Sequence, residues 1–566
     1  MKKPLPIGFD NFKDVIDGGY YYVDKTPFIK ELLDTKGKVN LFTRPRRFGK
    51  TLTASMLQYF FEDTGSEGQN LANQKLFAGM KIMEAGDAYT RHMTGYPVIS
   101  LSLKSGKQPD FQMSLESIQD EIIKEFNRHN DIKESGKLLA NERERFEEIQ
   151  NGTASQLQYA KSLEFLSSCL RKAYGSKVII LIDEYDVPLE HAYFEGFYDQ
   201  MVGFIRSLFE SALKTNPSLE FAVITGCLRI TKESIFTGLN NLEIISILSE
   251  SYGEYFGFVQ SEVDSLLAYY EIEFARETIK KWYDGYRFGN AEVYNPWSVI
   301  KYVKALCVNP EAFPSPYWAN TSSNSIVRNL VERADLSVKG EIEELLVDGM
   351  IEKPVHEDIT YADIFQSDDN LWNFLFFTGY LKKVSSRMEG ENQYITMAIP
   401  NTEVCYIYNH TILNWFRNEI KIKDLSALYH AIMEGDAPVV QSQLSQLLME
   451  SISFMDSKEA FYHGFLLGVL GNMRDYLVKS NRESGEGRYD ILIRSLDVTV
   501  PAVIFELKVS DTFKGLEKAC DDALSQIQKK KYDAWLPEEG YGQAFHYGIA
   551  FYKKQCRVKV VEKKLK

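Results

Sequence analysis

Short, continuous apolar runs alternate with longer helical patterns through the first third of the chain. The apolar runs are Val39–Phe42, Val98–Leu103, Val178–Ile182 and Phe221–Ile224. Two of the helical patterns are Leu52–Phe61 and Met113–Phe126. Strands that are apolar without interruption are expected where helices cover both faces of a parallel sheet. The pattern therefore predicts an α/β domain whose ligands lie at the carboxyl ends of its strands.

The remainder of the chain predicts two further parts. A length of 566 residues suits three or four domains at about 100 to 200 residues each. We expect a parallel α/β domain over residues 1–250 and a helical lid and connector over 251–450, where the strand signal fades. Strand patterns return in 451–566, which predicts a separate α/β domain there.

Several classes of protein are excluded by composition. Hydrophobic residues make up 44% and charged residues 25% of the chain, as in folded globular proteins. No apolar stretch approaches the ~20 residues that span a bilayer, and the amino terminus has no apolar signal core. We therefore expect a cytoplasmic protein without a membrane segment. The six cysteines form no C-x-x-C pair, which favours reduced thiols over disulfides or zinc.

The charge of the chain is unevenly distributed. The net charge of −14 argues against a generally basic surface for nucleic acid. Residues 481–566, however, carry 16 Lys and Arg against 13 Asp and Glu, a balance of +3. The carboxyl-terminal part is thus the expected place for a phosphate backbone to bind.

A phosphate-binding loop follows the first apolar run. The loop reads Arg44-Pro45-Arg46-Arg47-Phe48-Gly49-Lys50-Thr51 and precedes an amphipathic helix. Gly49, Lys50 and Thr51 match the end of a P-loop, in which backbone N–H groups and the lysine hold phosphate and the Thr hydroxyl binds Mg²⁺. Arg44 takes the place of the first glycine, and the following proline favours extended backbone at Arg44. Arg46 and Arg47 either supply charge to the phosphates or are solvated.

A second buried run ends in two acids, Asp183 and Glu184. In a Walker B strand, we expect Asp183 to hold Mg²⁺ and Glu184 to polarise the attacking water. Without the P-loop, two acids at a strand end would only cap the strand. A third run ends at Thr225, in position to sense the γ-phosphate or its water. Arg229 follows, and either supplies transition-state charge, within the chain or across a homo-oligomer interface, or forms a structural salt bridge.

These segments resemble the bacterial AAA-ATPase-like family. The resemblance is carried by Tyr22–Thr26, Thr43–Lys50, Asp183–Asp186 and Thr225–Asn241. In that family the Arg-Pro-Arg-Arg-Phe-Gly-Lys sequence stands where the usual P-loop is found, so the resemblance implies ATP binding with Mg²⁺. Trp282–Gly289 also resembles the family, and is either a lid beside the nucleotide or an aromatic turn in a core.

Two acids near the carboxyl terminus are predicted to face each other across a strand pair. If the connection between Arg488–Arg494 and Val503–Val509 is centred on Val498, facing residues have numbers that sum to 996, so Asp490 lies opposite Glu506. Buried like charges on adjacent strands repel unless a cation or a proton compensates them.

A hard divalent ion at this pair is the simplest compensation, because Mg²⁺ prefers carboxylate oxygen and water. Lys508 shares the strand face of Glu506 and would orient the water or neutralise a phosphate. Glu483, ahead of a glycine-rich turn, is expected to add a ligand or to support one.

The order and spacing of Asp490, Glu506 and Lys508 resemble the PD-(D/E)XK nuclease superfamily, which implies a restriction-endonuclease-like fold and Mg²⁺-dependent cleavage of DNA or RNA. Gln526, on the following helix, matches a supporting position of that superfamily. The Lys529–Lys531 run is either a phosphate contact or a solvated helix face. His463 is interpreted as a core histidine rather than a ligand.

Three functions are compatible with these patterns. The first is an ATP-binding, ATP-hydrolysing protein with a metal-dependent nuclease domain, in which nucleotide state gates cleavage. The second is a signalling or scaffold ATPase whose carboxyl-terminal domain binds without cleaving. In the third, both sites are structural and no ATP binds. Replacing Lys50 or Glu506 by Ala separates the three.

Overall fold

The computed structural model describes most of the chain. The described residues are 2–228, 235–236, 239–318, 336–346, 349–357, 364, 367–408, 425–451, 459–471, 473, 476–480, 483–484 and 487–565. The chain divides into two compact units, one of residues 1–322 and 352–405, the other of residues 323–351 and 406–566. The range 251–450 contributes to both units.

Seventeen strands are found in the described residues. They are β1 Val39–Thr43, β2 Val98–Ser102, β3 Val178–Asp183, β4 Leu219–Gly226, β5 Leu242–Ile245, β6 Tyr286–Phe288, β7 Ala291–Val293, β8 Ile351–Pro354, β9 Lys382–Glu389, β10 Asn392–Ala398, β11 Tyr476–Ser480, β12 Glu483–Ser484, β13 Gly487–Arg488, β14 Ile491–Ser495, β15 Ala502–Val509, β16 Gln543–Tyr552 and β17 Gln555–Lys564.

The α-helices of the first unit surround its sheet and extend beyond it. They are α1 Phe12–Asp17, α2 Pro27–Thr35, α3 Lys50–Phe61, α4 Glu67–Lys75, α5 Asp87–Thr90, α6 Phe111–Arg128, α7 Ala140–Gln150, α8 Gln156–Ala160, α9 Ser162–Tyr174, α10 Val187–Glu195, α11 Tyr198–Phe209, α12 Gln260–Tyr270, α13 Arg276–Tyr283 and α14 Pro296–Val308.

The α-helices that follow along the chain are α15 Leu336–Leu346, α16 Asp368–Phe377, α17 Ser426–Glu434, α18 Ala437–Ser451, α19 Glu459–Leu470 and α20 Leu516–Lys530. Of these, α16 belongs to the first unit and the others to the second. Among the described residues, no helix combines the length and the apolar character that crossing a bilayer requires.

The first unit is built on a five-stranded sheet in the order β2-β3-β4-β1-β5, in which every neighbouring pair is parallel. Every residue of β1 and of β3 is buried, because helices cover both faces of the sheet. Burying one such aliphatic side chain stabilises the fold by about 1.5 to 3 kcal/mol. The α/β class and four of these five strands are as predicted, and they bring the carboxyl ends of β1, β3 and β4 together.

The second unit is built on a mixed sheet in the order β11-β14-β15-β16-β17. Only β15 and β16 run parallel to each other. One face packs on α17, α18 and α19, whose buried residues include Leu428, Leu444 and Phe465. The other face packs on α20, which approaches closely because β16 has a glycine, Gly548, where a Cβ would lie 2.6 Å from the Cys520 carbonyl oxygen. Helices on both faces agree with the predicted carboxyl-terminal α/β domain.

Candidate functional site

The P-loop lysine lies inside its own loop. Gly49 has a φ of 84° and precedes the first residue of α3, Lys50. The Lys50 ammonium donates to the carbonyl oxygens of Arg44 and Pro45, each at 2.9 Å. The Arg44 N–H donates to the Gly226 carbonyl at 3.0 Å, which continues the β1–β4 ladder by one residue. The loop thus begins in extended backbone and curls around the lysine.

Two hydroxyl groups hold the first acid of the Walker B pair. Thr51 Oγ1 donates to Asp183 Oδ2 at 2.7 Å, and Thr225 Oγ1 donates to Asp183 Oδ1. Hydroxyl and carboxylate oxygens are the hard donors that Mg²⁺ prefers, so this group fits the ion. Thr225 thus contacts Asp183 directly, and its predicted contact with the γ-phosphate or its water stays a prediction.

The second acid, Glu184, adopts a φ of 53°, a left-handed conformation that costs about 1 to 2 kcal/mol in a non-glycine residue. Its N–H lies 3.4 Å from Thr225 Oγ1. Burial, followed by the neighbouring Asp183 charge, raises the pKa of Glu184 above its ordinary value. A carboxylate with a raised pKa accepts a proton more readily than an exposed one.

The two loop arginines each have a partner. Arg46 Nη2 donates to both carboxylate oxygens of Glu190 on α10, at 2.6 and 2.8 Å. Arg47 has a φ of 71°, and its guanidinium lies 4.4 Å from the Trp297 ring centroid. Burial lowers the pKa of Arg47. Neither arginine is therefore simply solvated, and both border the phosphate loop.

Arg44 is fully buried, although it stands at the position of a P-loop glycine. Its Nη1 donates to the carbonyl oxygens of Thr43 and Ile245, each at 2.9 Å. The rings of Phe256 and Phe288 lie 5.2 and 5.1 Å from the guanidinium carbon. Burial lowers the pKa of Arg44 to about 9. Arg44 thus attaches the start of the loop to β5 and to two aromatic residues from beyond the sheet.

Other loop residues also pack against segments that follow the parallel sheet along the chain. The Phe48 ring lies 4.9 Å from that of Tyr286, and both side chains are buried. Gly379 has a φ of 90°, and a Cβ there would lie 2.8 Å from the Pro45 Cβ. The Trp282–Gly289 segment therefore contributes aromatic side chains to the core behind the loop, as its second interpretation states.

A buried acid supports these segments. Glu403 accepts hydrogen bonds from the Ser298 hydroxyl and from the Trp318 N–H, the latter at 2.8 Å. Burial raises the pKa of Glu403 to about 7 despite these donors. Nearby, Asn401 Nδ2 donates to the Asp284 carbonyl at 2.7 Å. The Pro400–Val404 segment thus has a structural role that the sequence alone did not indicate.

Asp186 ties the acidic strand to the segment that leaves β4. Its Oδ2 accepts from the N–H groups of Cys227 and Leu228, at 2.6 and 3.1 Å. Burial raises the pKa of Asp186. The sequence predicts no role for Asp186 beyond the family resemblance of its segment. Arg229, the next residue along the chain, lies outside the described residues.

The two strands that carry the carboxyl-terminal acids have the predicted register. Ile491 pairs with Phe505, and the numbers of these two residues sum to 996 as predicted. Asp490 is the residue immediately before β14. Asp490 Oδ2 accepts from the Leu507 N–H at 2.7 Å. Glu506 is 1% exposed, and the Lys508 ammonium lies 3.1 Å from its Oε1. Two carboxylates and an ammonium therefore gather around β15, with hard oxygen donors that fit Mg²⁺.

A tyrosine that sequence analysis missed lies beside these acids. Gln526 Nε2 donates to the Tyr532 hydroxyl at 3.2 Å. Burial raises the pKa of Tyr532, and the charges of Glu506 and Asp490 raise it further. Gln526, which the sequence predicted to support the site, thus contacts Tyr532, and Tyr532 lies near the two acids. No motif marks this residue, because it follows the helix in an irregular segment.

Two other predicted residues have contacts of their own. His463 is half-buried, and its Nε2 donates to the Asp490 carbonyl at 3.0 Å, so the ring has a partner within the fold. The backbone of Glu483 pairs with Arg488 in the short β12–β13 ladder, but its side chain lies outside the described part. Within the described residues, no three His, Cys, Asp or Glu side chains form a group able to hold a metal ion.

The first unit has the features of a P-loop nucleotide-binding domain, and the second those of a restriction-endonuclease-like domain. Residues 6–236 match the family model described as "Predicted AAA-ATPase", and residues 457–561 match that of the PD-(D/E)XK nuclease superfamily. The chain therefore carries an AAA-ATPase-like domain followed by a carboxyl-terminal PD-(D/E)XK superfamily domain.

A protein of Azotobacter chroococcum mcd 1 is similar along nearly the whole length. It is described as an "Uncharacterized protein in vnfD 5'region" and is 26% identical over 541 residues. The match covers 94% of this chain and 93% of that protein, so the similarity includes both domains and the residues between them.

Proposed function

We propose that this protein binds and hydrolyses ATP with Mg²⁺ at its P-loop, and that its carboxyl-terminal domain is a Mg²⁺-dependent nuclease. The observation that carries the proposal is the pairing of Ile491 with Phe505, which is flanked by Asp490 on one chain segment and by Glu506, next to Lys508, on the other. In the same chain Thr51, which follows Lys50, donates to Asp183. Both groups combine acidic oxygens with an ammonium, which suits phosphate chemistry.

At the P-loop, each residue has a distinct task. Lys50 exchanges its two carbonyl acceptors for phosphate oxygens, while Thr51 and Asp183 hold the magnesium. Bound there, Mg²⁺ neutralises charge on the phosphates. Glu184 orients the attacking water and accepts its proton, a role supported by its raised pKa. Arg46 shifts from Glu190 toward the γ-phosphate when nucleotide is present.

At the carboxyl-terminal site, Asp490 and Glu506 hold the magnesium through carboxylate oxygens. The ion supplies a nucleophilic water and balances the charge of the phosphodiester. Lys508 orients that water from the Glu506 side. Gln526, on α20, holds the Tyr532 hydroxyl by a hydrogen bond and so positions it near the acids. The substrate is DNA or RNA.

ATP binding is tested by isothermal titration with a non-hydrolysable ATP analogue and Mg²⁺. Lys50→Ala abolishes binding, because it removes the phosphate-binding ammonium. Glu184→Gln retains binding but slows hydrolysis by about 100-fold or more, the usual range for a lost general base. Lys124→Ala on the exposed face of α6 is the matched control. Analogue binding by Lys50→Ala that equals wild type contradicts the assignment.

Nuclease activity is tested with labelled single-stranded and duplex oligonucleotides in Mg²⁺. Glu506→Gln removes a metal-binding charge and abolishes cleavage, whereas Glu538→Gln, at an exposed position of the same domain, has no effect. Cleavage that persists undiminished in purified Glu506→Gln protein rules out this site.

Gating by nucleotide is tested in the same assay. We expect the cleavage rate to differ with and without ATP in the wild type, and to become independent of ATP in Lys50→Ala. Equal wild-type rates in both conditions show that the two domains act independently.

A signalling or scaffold ATPase with a non-cleaving tail is the second candidate. Asp490 and Glu506 are already engaged by the Leu507 N–H and by Lys508, and two acids alone provide few protein ligands. This candidate predicts that wild-type protein binds nucleic acid or a partner but cleaves no oligonucleotide in Mg²⁺ or Mn²⁺.

A further inference from the structure

A groove of about 560 Å³ opens at one edge of the carboxyl-terminal sheet. Its walls are α18, the turn Phe513–Gly515 with the start of α20, and the turn between β16 and β17. The turn Phe513–Gly515 follows β15 directly, and β15 carries Glu506 and Lys508. The groove therefore lies at the same end of β15 as the proposed nuclease site.

Cations predominate among the charged residues of this groove. Lys514, Lys554 and Arg557 line it together with one acid, Glu517, which pairs with Arg557 at 2.9 Å. We call the three cations and their surroundings the basic groove. The chain as a whole carries a net charge of −14, so a local excess of positive charge marks this surface for an anionic partner.

The register of the sheet links the basic groove to the nuclease site. Lys508 on β15 pairs with Ala550 on β16, and Ala550 pairs with Arg557 on β17. The Lys508 and Arg557 backbones are thus two strands apart, a separation of about 10 Å at 4.7 to 4.9 Å per strand. Leu516 and Cys520 of α20 pack on Ala550 between them, so a strand that contacts both passes around the Phe513–Gly515 turn, a path within the span of a short oligonucleotide.

An aromatic ring lies at the rim of the groove. Phe513 is 59% exposed, although a phenylalanine side chain in a folded domain is usually buried. An exposed ring beside cations is the arrangement on which unpaired bases stack while their phosphates are neutralised. A duplex offers no such base face, because its bases are stacked on one another. The ring thus favours single-stranded nucleic acid over a duplex or an acidic peptide.

We propose that a single strand of nucleic acid extends from the Asp490–Glu506 site into the basic groove, where Lys514, Lys554 and Arg557 contact its phosphates and Phe513 stacks on a base. This inference rests on the proposed function, because the strand is taken to be bound at the proposed nuclease site. It adds the path of the strand and the preference for single-stranded substrate.

Binding is measured by fluorescence anisotropy of full-length protein with a labelled single strand of about 20 nucleotides, longer than the 4 to 16 nucleotides that a comparable stacking site covers. EDTA prevents cleavage. Lys554→Gln and Lys514→Gln each weaken binding and reduce the slope of log K against log salt by about 0.7, the loss of one phosphate contact. Phe513→Ala weakens binding by about fivefold or more at an unchanged slope.

The matched control is Lys530→Gln, at the exposed carboxyl end of α20. Because α20 is 15 residues long, Lys530 lies about 20 Å along the helix from the basic groove, at 1.5 Å per residue. We expect wild-type binding from this variant. A loss as large as that of Lys554→Gln places the strand along the Lys529–Lys531 run and overturns the proposal. Unchanged binding by all three groove variants, or binding of duplex alone, also overturns it.

Cleavage assays separate this inference from the proposed nuclease. If the wild type cleaves and the groove variants bind and cleave like it, the nuclease stands and the groove does not. If the wild type cleaves nothing but the groove variants lose binding, the groove stands and the tail is a binding module. Circular dichroism and thermal melting of each variant verify its fold, which substitutions at these exposed or half-buried positions should leave intact.

Discussion

Replacing Glu403 by Gln is expected to stabilise the first unit at neutral pH and to remove part of its pH dependence. Glu403 is fully buried, and burial raises its pKa from 4.5 to about 7. The folded protein therefore retains a proton that the unfolded chain releases between these two values. The stability associated with that proton is complete below about pH 4.5 and is lost as the pH rises through about 7.

The magnitude follows from the two pKa values. A difference of 2.5 between 4.5 and about 7 corresponds to about 3 kcal/mol at 1.36 kcal/mol for each pH unit. Glutamine preserves the local contacts, because its oxygen accepts from the Trp318 N–H and its amide donates to the Ser298 hydroxyl. It has no charge to desolvate. We therefore expect Glu403→Gln to gain up to about 3 kcal/mol at pH 7.5 and little at pH 4.5.

The assay is urea unfolding followed by tryptophan fluorescence, at several values between pH 4.5 and 7.5. Glu311→Gln, an exposed substitution in the same unit, is the control and should retain the wild-type pH profile. A wild-type free energy of unfolding that does not fall over this range, or a Glu403→Gln protein that is no more stable at pH 7.5, would refute the reasoning. Either result would mean that Glu403 is charged in the folded protein at low cost.

Three further substitutions test other contacts. Gly379→Ala should cost about 2 to 4 kcal/mol, because a φ of 90° strains alanine and its Cβ would overlap Pro45; urea unfolding and ATP titration measure the effect. Burial alone would raise the pKa of Asp533, but contacts with His546 and Lys563 outweigh it and lower the pKa to about 2. Asp533→Asn should therefore reduce the free energy of unfolding by about 2 kcal/mol at pH 7, and the variant should lose less stability than the wild type between pH 4 and 2. Gly548→Ala should lower the melting temperature by forcing α20 away from β16; an unchanged value would show that the helix shifts at no cost.

Local patterns were sufficient to predict the regular elements. β1, β2 and β3 begin at the predicted residues. A strand with helices on both faces is buried on both faces, so an unbroken apolar run marks where it lies. The facing of Ile491 and Phe505 was predictable as well, because strand alternation and a short connection leave few possible registers. By contrast, β5 was missed: it has four residues, and only Ile245 is buried.

Contacts between distant segments could not be predicted. Nothing near Arg44 in the sequence indicates that Phe256 and Phe288, more than 200 residues away, enclose its guanidinium. An arginine in a phosphate loop is expected to face the phosphate, and only the folded chain shows it buried. Tyr532 was missed for the same reason, because its proximity to Glu506 arises from the packing of α20 on the sheet.

The enclosure of Arg44 has a practical consequence for dividing this protein into parts. A fragment that ends near residue 236 contains every nucleotide-binding motif but lacks the two rings around the arginine and the partners of Pro45, Arg47 and Phe48. Such a fragment would leave a cation and its apolar surroundings facing water at the start of the P-loop segment. Biochemists who wish to study the AAA-ATPase-like domain in isolation should therefore express residues through at least 405, since the shorter piece is expected to aggregate or to bind nucleotide poorly.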